Sequence, residues 1–142
     1  MPIRIVIDTN VLVAAVRSRT GAGHRLIRLL PHPQIITCLS VPLHQEWMDV
    51  LTRPEHLARN RQPADAVEFV RALTLNCELC EVFFKLPEQL PDPEDDKVLE
   101  AAVNARASHI ITYNLADFRG CEKHGVTVIR PGELFRLLET NA

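Results

Sequence analysis

The hydrophobic positions of this chain fall in short blocks whose spacing changes from block to block. Ile3-Arg4-Ile5-Val6-Ile7 is a β-branched run and predicts a buried strand over 3–8, ending on Asp8. Val11-Leu12-Val13-Ala14-Ala15-Val16 follows, and with Thr9 or Asn10 as cap it predicts a helix over 10–17. Gly21-Ala22-Gly23 interrupts the pattern before a second helix over 23–30, which stops at Pro31-His32-Pro33. Gln34 to Cys38 reads as a strand. Leu43, Trp47, Val50 and Leu51 stand at helical spacing over 42–52. Short helices are expected over 55–60 and 64–75, then a strand near 79–84.

A polar, proline-rich loop from Leu86 to Pro93 leads into a helix over 95–105, with Val98, Leu99, Ala102 and Ala105 inward. Strand 108–112, the loop Tyr113 to Phe118, strand Val126 to Ile129 and a helix over 132–139 close the pattern. No repeat or low-complexity tract interrupts it. Strands separated by helices predict one α/β domain over 1–142, with a central parallel sheet of four to five strands and helices on both faces.

That architecture gives the strand ends a meaning. In open parallel sheets, ligands gather at the carboxyl edge. The groups expected there are Asp8, Ser40 and Thr112 with its following loop. A carboxylate such as Asp8 is costly to desolvate unless a cation or a donor pairs with it.

Composition narrows the picture only a little. The chain is 46% hydrophobic and 24% charged with a formal net charge of −2, so bulk electrostatics do not announce nucleic-acid binding. No apolar run approaches the roughly 20 residues of a membrane span and no signal-peptide pattern opens the chain, so no membrane association and a cytoplasmic location are expected. Arginines cluster early, at Arg17, Arg19, Arg25 and Arg28, and again at Arg53, Arg59 and Arg61. Such clusters read as solvated helix faces or as a phosphate-contacting surface. Cys77-x-x-Cys80 and Cys121-x-x-His124 have local spacings that suit zinc. Their apolar surroundings favour the other reading, small fillers in a reduced compartment. The six histidines have no metal-ligand spacing to one another.

Four acids can converge on the carboxyl edge: Asp8 at the first strand end, Glu46 turned inward with Leu43 and Val50, Asp96 in the first turn of its helix, and Asp117 after the Thr112 strand. Carboxylates gathered in one pocket repel one another and raise one another's pKa unless a cation neutralises them. Oxygen-only donors suit Mg²⁺ or Mn²⁺ rather than zinc or copper. Each acid also has a plain structural role open to it. Asp8 could cap a helix or accept hydrogen bonds at the strand end. Glu46 could be a solvated helix position facing Arg53 or Gln45, Asp96 a charge favoured by the helix dipole, and Asp117 a turn residue ahead of Phe118.

With these residues in place, the chain resembles the PIN-domain ribonucleases, and most closely the VapC-like toxin components of toxin–antitoxin pairs. The carrying residues are Val6-Ile7-Asp8-Thr9-Asn10-Val11-Leu12, Gln45-Glu46-Trp47, Asp96-x-x-Leu99-x-Ala101-Ala102, Ile110-Ile111-Thr112 and Asn114-x-x-Asp117-Phe118. Asp92-Pro93-Glu94-Asp95-Asp96 also looks like a toxin-like branch of that family. The resemblance implies an endoribonuclease dependent on Mg²⁺ or Mn²⁺, in which a water attacks the RNA phosphate in line. It maps Asp8 and Asp96 onto the principal metal ligands, Glu46 onto the second acidic position, and Thr9 and Asn10 onto groups that orient the first aspartate. Asp117 inherits the fourth position, because Asn114 stands where many members carry aspartate. Asp95 competes with Asp96, and the spacing to Thr112 favours Asp96. A cognate antitoxin docking over the acidic crevice and a homodimer, built on helix surface near Val67 to Leu75, are the partners implied.

Two other strand–aspartate architectures do not fit. Haloacid-dehalogenase-like phosphatases need an aspartate where Asn10 stands, and receiver domains need an acceptor aspartate at a mid-chain strand end, which the Cys38 strand lacks. Two readings within the family stay open beside the toxin: a catalytically weak scaffold binding RNA or protein, and a housekeeping RNA-processing nuclease.

Overall fold

A computed structural model describes residues 1–57, 61–83, 90 and 92–140. Its elements run β1 (Ile3–Ile7), α1 (Thr9–Arg17), α2 (Ala22–Leu29), β2 (Ile35–Leu39), α3 (Val41–Leu51), α4 (Pro63–Thr74), β3 (Cys77–Leu79), α5 (Pro93–Asn104), β4 (His109–Ile111), β5 (Thr127–Ile129) and α6 (Pro131–Thr140). Single 3₁₀ turns lie at Pro54–His56, Leu115–Phe118 and Cys121–His124. The five strands form one sheet in the order β3-β2-β1-β4-β5, and every pairing is parallel. The α/β expectation holds. Among the described residues, no helix is long and apolar enough to cross a membrane.

The strand order carries the functional consequence. From β1 the chain steps outward through β2 to β3, then returns past β1 to β4 and β5. The winding therefore reverses between β1 and β4, and the crevice beyond a doubly wound sheet opens at such a reversal. Asp8 follows β1 and Thr112 follows β4, so the reversal is flanked by these two residues. The centre of the sheet is buried on both sides, with Ile5, Val6, Ile7, Ile110 and Ile111 fully enclosed.

Three boundaries depart from the sequence pattern for identifiable reasons. β3 ends at Leu79 instead of running through 79–84. Its partner β2 ends at Leu39, Ser40 caps α3 by accepting from the Leu43 amide at 3.3 Å, and the last ladder bond is Cys80 N–H to the Leu39 carbonyl at 2.8 Å. Among the described residues no partner backbone pairs with the Val82-Phe83 run, and Phe83 is 76% exposed. The helix expected over 55–60 is a 3₁₀ turn at Pro54–His56, and residues 58–60 lie outside the described residues. α5 begins at Pro93 rather than 95, with proline in the first turn, where a missing N–H costs nothing. Most of the expected Leu86–Pro93 loop lies outside the described residues.

Candidate active site

Asp8 stands at the N-cap position of α1, in extended backbone, yet its carboxylate makes no capping hydrogen bond. It accepts instead from Thr112 Oγ1 at 2.8 Å, across the reversal. The Thr112 hydroxyl is itself fixed, because it accepts from Asn10 Nδ2 at 3.1 Å and from the Asn114 amide at 3.0 Å. With two donors already pointing at it, its own proton is left for Asp8. Asn10 Oδ1 accepts from the Tyr113 amide at 3.3 Å, so one asparagine ties α1 to the loop after β4. That loop is held from the far side as well: the Gly23 amide donates to the Tyr113 hydroxyl at 2.8 Å. A Cβ on Gly23 would meet the Val11 carbonyl oxygen at 3.0 Å and the Tyr113 hydroxyl at 3.1 Å, so any larger residue would have to push these atoms aside by a few tenths of an ångström.

Glu46 is buried on α3, and Thr9 Oγ1 donates to its Oε2 at 2.5 Å. The neighbouring Trp47 is fully enclosed and donates from Nε1 to the Ile7 carbonyl at 3.3 Å, which fixes the turn of α3 against the end of β1. Thr9 and Glu46 thus form one rigid wall of the pocket.

The same pocket is lined by Asp8, Glu46, Asp92, Asp95, Asn114 and Asp117. Asp96 is not on that wall: its Oδ1 accepts from the Leu90 amide at 3.1 Å. Helix phase explains the choice. Val98 and Ala102 are buried, and Asp95 precedes them on the same stripe, whereas Asp96 is rotated about 100° away. Spacing to Thr112 had favoured Asp96, but that distance passes through the turn after α5, where Arg106 takes a left-handed backbone at φ 56°. A count across an irregular turn is a poor guide to facing; a count along the helix from Val98 would have found Asp95. Asp92, which the pattern did not single out, joins the pocket one turn ahead of Asp95.

The electrostatics mark the pocket as short of positive charge. Burial pushes the Asp8 carboxyl up, opposed by the Thr112 hydroxyl and the Thr9 amide and reinforced by the charges of Asp117 and Asp92. Asp95 is pushed up to about 7, first by burial and then by the charges of Asp8, Asp92, Asp117 and Asp96. Carboxylates that hold one another's protons are poised to trade them for a hard cation. The donors are all oxygen, which suits Mg²⁺ or Mn²⁺. Among the described residues no three of these acids bring carboxylate oxygens within 4.8 Å of one another, so a cation here would be held partly through water. Arg17, Arg53 and His56 stand on the α1–α3 side of the pocket, and Arg119 and Arg130 line a second recess that shares Tyr113, Asn114 and Asp117 with it. Arg59, the other mid-chain arginine, lies outside the described residues.

The cysteines do not assemble as their local spacing suggests. Cys121 is buried in the core, and among the described residues Cys77, Cys80, Cys121 and His124 share no donor cluster.

Two solved structures similar to this chain are VapBC toxin–antitoxin assemblies. VapBC2 from Rickettsia felis, bound to a DNA fragment from its promoter, aligns with a TM-score of 0.62 at 12% identity over 89% of this chain and 97% of the other. VapBC-1 from nontypeable Haemophilus influenzae aligns with a TM-score of 0.60 at 13% identity over 92% and 99%. At such identities the likeness establishes the fold. No curated protein sequence matches the chain. The sequence of residues 4–116 matches the PIN domain, a span that contains every acid lining the pocket except Asp117. The chain belongs to the PIN domain family.

Proposed function

We propose that the protein is a Mg²⁺- or Mn²⁺-dependent endoribonuclease, acting as the toxin of a toxin–antitoxin pair. The observation that carries this reading is that Asp8, Glu46, Asp95 and Asp117 line one pocket at the winding reversal, with Asp8 and Asp95 both pushed up by burial and by neighbouring carboxylates. Asp8 and Asp95 hold the cation, with Glu46 and Asp117 completing the shell directly or through water. Asp96, at the Leu90 amide, supports the start of α5 instead. When bound, the cation would lower the pKa of a coordinated water and offset the charge that develops on the phosphate.

The protein's own groups do the rest. Thr112, fixed by Asn10 and Asn114, presents one Asp8 oxygen in a single orientation. Thr9 does the same for Glu46. The exposed carboxylate of Asp117 and the side chain of Asn114 lie where they can position the attacking water. Arg17 and Arg53 border the acids and suit phosphates flanking the scissile one.

The implied partner is an antitoxin that covers the acidic pocket and brings a basic side chain to it, a role consistent with the assemblies that share this fold. A homodimer through α4 is in keeping with the exposure of Val67 and Leu75. The cytoplasm is the proposed location, the compartment where such a toxin meets cellular RNA.

The test is cleavage of a mixed single-stranded RNA pool by purified protein with Mg²⁺, Mn²⁺ or EDTA, beside Asp8→Asn. Cutting that needs the metal and is lost in the variant is the expected result. Cutting that survives in EDTA or in the variant overturns the assignment.

A further inference from the structure

A second gathering of donors lies two strands away from Asp8. β2 and β3 pair in parallel with Cys38 opposite Glu78, and Cys80 follows two residues on, where its amide bonds the Leu39 carbonyl. Residues opposite one another, and those two apart along a strand, share a sheet face, so all three side chains emerge together. Their Sγ, carboxylate and Sγ atoms lie within 4.8 Å of one another. Cys38 is fully buried, Cys80 is half-buried and Glu78 is exposed, so the cluster has a closed floor and an open mouth. These donors do not line the acidic pocket.

We propose that Cys38, Glu78 and Cys80 form a site for a thiophilic divalent cation such as Zn²⁺ or Cd²⁺, with solvent in the fourth position. Bond lengths of ~2.3 Å to sulfur and ~2.1 Å to oxygen put tetrahedral donors roughly 3.6–3.8 Å apart. Cys80 Sγ and Glu78 Oε2 already lie 3.7 Å apart, and every pair lies within 4.8 Å. Charge is in balance as well. Two thiolates and a carboxylate oppose a divalent cation and the guanidinium of Arg4, which bonds Glu78 and also donates to the Ala105 carbonyl at 3.0 Å from Nε and 2.8 Å from Nη2.

The site has work to do in the fold. β3 is a three-residue edge strand whose ladder stops at Cys80, and the chain beyond it touches α5 through the Phe83 amide, which donates to Asn104 Oδ1 at 2.8 Å. A cation joining Cys38 to Cys80 would fasten this short edge to β2. Donor type separates the two sites: carboxylates favour hard cations, and thiolates favour soft ones.

The experiment is a Co²⁺ and Cd²⁺ titration of the reduced full chain in excess Mg²⁺, read by thiolate-to-metal charge-transfer absorption, which carboxylates cannot produce. The expected result is saturation at one ion per chain, a higher thermal midpoint with Cd²⁺, and the same absorption in Asp8→Asn and Cys77→Ser. Cys80→Ser, at a half-buried position, loses the absorption, and Glu78→Gln weakens binding at least tenfold. No charge-transfer band in the folded chain, or a band that survives in Cys80→Ser, overturns the proposal.

Discussion

Two donor clusters sit on one sheet, and they were built by different means. At the winding reversal the oxygens of Asp8, Glu46, Asp95 and Asp117 arrive on four separate segments, and hydroxyls and amides hold two of them in place. At the β2–β3 edge, Cys38, Glu78 and Cys80 arrive through strand pairing alone, beside one guanidinium. The first pocket is rich in carboxylates, the donor type of the Mg²⁺ or Mn²⁺ site proposed above. The second is small and soft, and its charge is partly met by Arg4. In the first, hydroxyls fix individual carboxylates, the kind of support that tunes a reactive centre. In the second, Arg4 bonds Glu78 and the thiols bond nearby carbonyls.

The largest effect expected at the acidic pocket is that of Asp8→Asn, which should lower RNA cleavage by more than ~10²-fold, on the scale of losing an electrostatic contact at a reaction centre. The fold should survive, because the substitution removes a carboxylate that burial already disfavours in its charged form. Circular dichroism and a thermal midpoint at or above that of the parent check this. Asp95→Asn should match it in cleavage, while Asp96→Asn stays within a few-fold, since asparagine still accepts from the Leu90 amide.

A smaller loss separates arrangement from ligation. Thr112→Val removes the hydroxyl that fixes Asp8 and should cost cleavage roughly 10–100-fold, as loss of a supporting partner does. Thr112→Ser should recover most of it, which a purely steric role would not allow.

The pH dependence has a definite sign. Asp8 and Asp95 are pushed up in the fold, so the metal-free native chain holds their protons more tightly than the unfolded chain. The stability these two groups contribute is full below the ordinary aspartate value of 3.8 and is lost as pH rises toward about 7, where Asp95 ionises in place. Thermal midpoints across that window should slope downward. Mn²⁺ or Asp95→Asn should flatten the slope. The smallest effects belong to the rim: Arg17→Ala and Arg53→Ala should each weaken RNA binding a few-fold and reduce its salt slope by about one.

How far the sequence reveals these clusters follows from how each is made. The opening Ile3-to-Asn10 segment is legible because strand, carboxylate and helix start are contiguous, and the α/β order follows from alternating periods. The sequence left Asp95 and Asp96 in competition; Asp95 is the one that lines the pocket, on the stripe of Val98 and Ala102. β3 was placed too late because its apolar run continues past Leu79, and only the end of β2 determines where a ladder must stop. The Cys38–Glu78–Cys80 cluster depends on parallel register, which no local motif encodes.

The central claim is that the acids at the winding reversal hold a hard cation through Asp8 and Asp95. Its most direct test is Mn²⁺ titration followed by electron paramagnetic resonance on the parent, Asp8→Asn, Asp95→Asn and Asp96→Asn. The account predicts specific binding that Asp8→Asn and Asp95→Asn each weaken at least tenfold and that Asp96→Asn retains. Binding that survives in Asp8→Asn, or that is lost in Asp96→Asn and kept in Asp95→Asn, would contradict it.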